Sequence, residues 1–157
     1  MERLKLPGEV VRRLKSAAEE AGVSLEDFLL EVVLAGADPP TKARTYVEVA
    51  AELLADAEGE LKDGDLRQAG EKVWGAAALA VKAYAYWREG VRLSSHGELW
   101  RYKDVLTREL GDWARDAWMH AAAIHVNFYE GWATREDVEK ALSLVRQLVE
   151  AVKAVVK

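Results

Sequence analysis

A chain of 157 residues has the length of one ordinary domain, or of one domain of about 100–120 residues with a small module attached, and excludes two full-size domains. Half of its residues are hydrophobic, about a third are charged and none is cysteine, so packing alone must hold the fold, without disulfides, thiolate metal sites or a cysteine nucleophile. The net charge of −5 repels a polyanion overall, yet Arg3, Lys5, Arg12, Arg13 and Lys15 against only Glu2 and Glu9 make the extreme N-terminus locally basic.

The charged start Met1-Glu2-Arg3-Leu4-Lys5 lacks the apolar centre of a signal peptide, and no apolar run approaches the roughly 20 residues that cross a bilayer. A cytoplasmic protein with no membrane partner is expected. Few Met and Pro residues, and many Ala, Glu, Val and Lys, fit a thermophilic origin.

In chain order, Arg3-Leu4-Lys5-Leu6 alternates charge with leucine at period two, the pattern of a short half-buried strand before Pro7-Gly8. From Glu9 the period turns helical through Val10, Val11, Leu14, Ala17, Ala18 and Ala21, with Gly22 as its stop. Ser24-Leu25-Glu26-Asp27 opens a second helix, with stripe Leu25, Phe28, Leu29, Val32 and Val33, that runs out at Gly36. Asp38-Pro39-Pro40 marks a linker, which predicts an N-terminal module over 1–38 and a main domain over 41–157. A third helix follows Thr41 and ends at Asp63-Gly64-Asp65, and a fourth covers about 66–88 with alanines and Gly75 that permit close helix approach. Ser95-His96-Gly97-Glu98 caps a fifth that ends at Gly111. A sixth carries Trp113, Ala117, Ala121, Ile124 and Phe128 to Gly131, and Thr134-Arg135-Glu136-Asp137 caps the last, with Val138, Leu142, Val145, Leu148, Val149 and Val152 on one face. The fold class is therefore all-α: five helices joined by short turns in an up-and-down bundle, preceded by a strand-helix-helix or helix-helix module.

Three blocks in order, Gln68-Ala69-Gly70-Glu71-Lys72-Val73-Trp74-Gly75-Ala76-Ala77-Ala78, Ser95-His96-Gly97-Glu98-Leu99-Trp100 and His125-Val126-Asn127-Phe128-Tyr129-Glu130-Gly131-Trp132, resemble the archaeal PaREP proteins, a HEPN-like group, over about residues 42–157. The resemblance implies a HEPN-type helical bundle paired as a homodimer. Residues 1–36 separately resemble a ribbon-helix-helix module, in which two chains pair their strands and the outward side chains enter the DNA major groove. That resemblance gives Arg3 and Lys5 the DNA-facing role, with Arg12 and Arg13 near phosphates.

Active HEPN proteins use an Arg and a His four to six residues apart as a metal-independent ribonuclease, and Arg115-Asp116-Ala117-Trp118-Met119-His120 has that spacing. His120 would move protons and Arg115 would hold the phosphate. The pattern is short and of low specificity, and the resemblance also directs attention to His125, which has no arginine at that spacing. His125, Asn127, Tyr129 and Glu130 form a polar cluster that reads either as a binding pocket or as satisfied core groups. His96 reads as a capping or loop residue. The tryptophans at 74, 87, 100, 113, 118 and 132 read as core or interface, with Trp74 and Trp100 assigned to interior packing. His120 and His125 lack the one-turn spacing of helical metal ligands, so no metal and no cofactor is expected. A homodimeric binding or regulatory protein, with DNA, RNA or a nucleotide as partner, leads this reading. Its alternatives are the ribonuclease and a purely structural dimerisation protein.

Overall fold

The structure is a computed structural model that describes residues 2–157, the side chains at 128 and 129 excepted. Its elements are α1 (Gly8–Ala21), α2 (Leu25–Val33), α3 (Pro39–Lys62), α4 (Leu66–Glu89), α5 (His96–Leu110), α6 (Asp112–Glu130) and α7 (Arg135–Val155). Two compact units separate, one ending at Asp38 and one spanning Pro39–Lys157.

In the N-terminal unit, α1 ends where Gly22 takes the left-handed conformation, φ 70°, and α2 begins where the Ser24 hydroxyl accepts from the Asp27 amide at 3.1 Å. Among the described residues no strand forms, which corrects the expectation of a strand over Arg3–Leu6. A strand needs a second segment to bond to, and this chain supplies none, so the unit is a helix pair with an extended leader. The second helix also stops earlier than its periodicity suggests: it closes at Val33, and 34–36 form turns. Both prolines lie inside the first turn of α3, so the helix begins at Pro39 and not after Thr41. The amide that proline lacks would have no intrahelical partner there.

The second unit is built around α4, which is buried on every side from Val73 to Tyr86 apart from half-buried Gly75 and Ala78. It packs against α3, α5, α6 and α7. Small residues permit this: a methyl group added at Gly70 would sit 2.4 Å from Cγ2 of Ile124, so the α4–α6 approach is set by a missing side chain. The helix ends are pinned by the residues that announce them. Ser95 and Glu98 form a complete capping box on α5, as do Thr134 and Asp137 on α7. Arg135 donates to the Leu61 carbonyl at 2.7 Å, tying the start of α7 to the end of α3, and Arg146 pairs with Glu58. Between α4 and α5, the Tyr84 hydroxyl and the Arg88 guanidinium both donate to Glu109, and the Tyr102 hydroxyl donates to Glu89 at 2.8 Å. No described helix is long and apolar enough to cross a membrane.

These bonds give the bundle a defined acid response. The Ser94 amide first, then its hydroxyl, holds the Glu98 carboxyl below the usual range; the Tyr84 hydroxyl and then Arg88 do so for Glu109, and the Thr134 amide for Asp137. Each folded carboxyl stays ionised where its unfolded counterpart has taken a proton, so this stability is complete above the ordinary carboxylate range and lost as pH falls through the lowered values. His96 lies below its ordinary 6.5 because of burial and then the charge of His125, so the unfolded chain gains its proton first and stability begins to fall below that pH. Melting temperature measured against pH is expected to decline in two stages, and His96→Gln to remove the upper stage. A profile flat from neutrality down to the carboxylate range would refute the His96 assignment.

Candidate functional site

The basic N-terminal residues sit on exposed backbone and the first turns of α1. Arg3 and Lys5 are exposed in the extended leader, while Arg12 and Arg13 share Glu9, at 2.8 and 3.3 Å. Ion pairs this exposed are worth roughly 0–1 kcal/mol, so Glu9 does not withhold the arginines from a polyanion. The same unit leaves Leu4 (81% exposed), Val32 (56%) and Val33 (76%) in water, with Leu6 and Val10 partly so. Its buried side chains are Ala18 and Asp27, which make no apolar core.

On α6, Arg115 pairs with Asp104 at 3.1 Å and His120 directs Nδ1 to the Asp116 carbonyl at 2.8 Å. Both are exposed. Five residues along a helix turn the second side chain about 140° from the first, so the structure places Arg115 and His120 on diverging directions and engages each elsewhere.

The cluster around His125 is divided in the same way. Asn127 is buried and accepts from the Ala133 amide at 2.5 Å, beneath the α6–α7 turn. With Asp63, Gly64, Asp65, Leu66 and Arg67 it lines an open cleft of about 510 Å³. Glu130 is exposed. The side chain of Tyr129 lies outside the described residues. His125 points the other way, into the groove between α4, α5 and α6, where Nδ1 meets Oε2 of Glu71 at 3.1 Å.

Two imidazoles, a carboxylate and three indoles meet there. The His125 ring stacks on Trp74, with centroids 4.7 Å apart and planes 17° apart; His96 lies 5.5 Å from Trp74 and 6.4 Å from His125. Trp74 continues into Trp118 at 5.0 Å, and Trp118 into Trp100 at 5.8 Å, with the Lys103 ammonium 5.7 Å from the Trp100 ring. Trp74 and Trp118 are buried, Trp100 is half-buried, His125 is a quarter exposed and His96 faces solvent. His96 is the residue that sequence reasoning misassigned. The hydroxyl of Ser95 does the capping, which leaves the imidazole at the first helical position to turn onto Trp74. Glu71 was not singled out either. The signal was there in part, since Glu71 and Trp74 are one turn apart on α4, and Trp118 and His125 two turns apart on α6. Among the described residues no group of three or more His, Cys, Asp or Glu could hold a metal ion. Burial, and then the charge of His125, bias His96 towards its neutral form.

Comparison with known proteins places the bundle. No curated protein matches the chain. Among solved structures, a crystal structure of a Sulfolobus solfataricus protein matches at 27% identity and a TM-score of 0.62, over 69% of this chain and 96% of that one. The model of the archaeal PaREP1/PaREP8 family matches residues 45–149, a span that holds the whole histidine–tryptophan groove and begins after the N-terminal unit has ended. By that match over most of its length, the chain belongs to the archaeal PaREP1/PaREP8 family.

Proposed function

We propose that the protein is a homodimeric, HEPN-like regulatory protein that binds DNA through its N-terminal unit. The observation that carries this reading is the unit's own incompleteness. Leu4, Leu6, Val10, Val32 and Val33 are exposed around an extended segment whose backbone has no ladder, and Arg3 and Lys5 alternate with the two leucines. Pairing that segment with its copy in a second chain would satisfy the backbone bonds, cover the leucines and leave the cations facing outward as a basic ribbon. An incomplete unit lying before the family-matched region fits an appended recognition module.

The test is binding of the full chain to labelled duplex DNA across a salt series. Affinity is expected to fall steeply with salt, and Arg3→Ala with Lys5→Ala to weaken binding at low salt by about 10-fold or more. Binding unchanged by that double substitution removes the ribbon, and no binding at any salt concentration leaves the unit a dimerisation device only.

A further inference from the structure

We infer that the exposed face of α6 is a self-association surface, on which two copies of the chain lay this helix antiparallel about a two-fold axis passing between Ala122 and Ala123. The surface belongs to the bundle and not to the N-terminal unit, so it adds a second contact to the pairing proposed above without depending on it.

Three features of α6 select a second copy as the occupant. The first is an apolar stripe. Met119 and Val126 are each nearly half exposed, Ala123 is exposed and Ala122 is half-buried, and steps of three and four residues place all four on one side of the helix. The other side, with Ala117, Trp118, Ala121 and Ile124, is buried in the bundle, so the stripe is apolar surface left over from the core. The second feature is size. Two alanines lie at the centre of the stripe with a larger side chain one turn away at each end, which lets a facing helix approach to about 8 Å between axes.

The third feature is charge. A two-fold axis demands a surface that complements itself, each residue meeting the one equally far from the axis on the other side. Met119 lies as far before that point as Val126 lies after it, and exposed Arg115 as far before as exposed Glu130 lies after. An antiparallel copy therefore sets Arg115 against the partner's Glu130, and does so twice. A parallel copy would bring like charges together and align the two helix dipoles unfavourably. Within its own chain Arg115 pairs with Asp104 at 3.1 Å, but an ion pair this exposed leaves the guanidinium able to reach a second carboxylate. A stripe of this length is a modest contact taken alone. Any further contact between the same two chains makes it intramolecular and strengthens the pair.

The chain has no cysteine, so single cysteines report the register directly. Ala123→Cys and, as a control, Asp112→Cys are treated with a short bis-maleimide at high micromolar concentration. The two copies of position 123 face each other across the axis, while those of position 112 lie about 30 Å apart at opposite ends. Ala123→Cys is expected to link into a pair and Asp112→Cys to stay single. Arg115→Glu should raise the dissociation constant of the pair about 10-fold or more in sedimentation, and Arg115→Glu with Glu130→Arg should restore most of it. The two positions are about 22 Å apart along one helix, too far to interact within a chain, so recovery reads a contact between chains. Ala123→Cys that stays single, or a double reversal no better than the single one, overturns the inference. Leu4→Ser with Leu6→Ser acts on the N-terminal unit and should leave linking at Ala123 in place, so either proposal can fail without the other.

Discussion

Replacing Trp118 with alanine is expected to destabilise the bundle by about 3–5 kcal/mol, read as a lower denaturant midpoint at constant slope. Trp118 is fully buried, at 0% exposure, and its ring touches Trp74 on one side and Trp100 on another. The alanine would leave a cavity between α4, α5 and α6 that buried helices cannot close without moving against one another. Trp118→Phe separates packing from hydrogen bonding. The indole N–H of Trp118 has no hydrogen-bond acceptor among the described residues, so removing it sacrifices no hydrogen bond, and the phenylalanine should cost well under half as much as the alanine. Equal losses for the two variants would mean that the N–H is bonded in solution. A loss below about 1 kcal/mol for the alanine would mean that the ring is not buried as described.

The second large effect runs against helix propensity. Alanine in place of a helical glycine ordinarily gains about 1 kcal/mol, and Gly59, on the exposed face of α3 with nothing within 4 Å of an added methyl, should show about that gain. Gly70→Ala should do the opposite. Its methyl would meet Ile124 Cγ2 at 2.4 Å, a β-branched side chain on the facing helix with little freedom to turn aside. Overpacking costs about 1–3 kcal/mol, which exceeds the propensity gain and predicts a net loss. Gly70→Ala with Ile124→Leu, which removes the clashing Cγ2 branch, should recover part of it. Thermal melts of the three variants decide the matter, and a stabilised Gly70→Ala would show that α4 and α6 do not approach this closely.

The helices were legible because their ends carry local chemistry. Ser24, Ser95 and Thr134 act within three or four residues, and so do the glycine stops at Gly22 and Gly131, where φ is positive. The strand was not legible in the same sense: alternation at Arg3–Leu6 specifies which side chains point which way, while a ladder depends on a second segment that no single chain here provides. The double proline suggests a linker by sequence, whereas the first turn of α3 accommodates both prolines. At the site, linear spacing says little about what comes together in space. Arg115 and His120 keep their spacing along α6, where Arg115 pairs with Asp104 and His120 meets the Asp116 carbonyl. His125 and Glu71 lie 54 positions apart and His96 on a third helix, so only the packing of α4, α5 and α6 assembles the groove. His125 and Asn127 were grouped because they are neighbours in sequence, and α6 sends one into the groove and the other beneath the turn before α7.

Completion of the N-terminal unit by a second copy of the chain has a direct readout in solution. Light scattering of the chain at micromolar concentration should show a particle of about 35 kDa, twice the 17.5 kDa chain, that Leu4→Ser with Leu6→Ser shifts towards the monomer. A parent chain that stays monomeric at that concentration would contradict it.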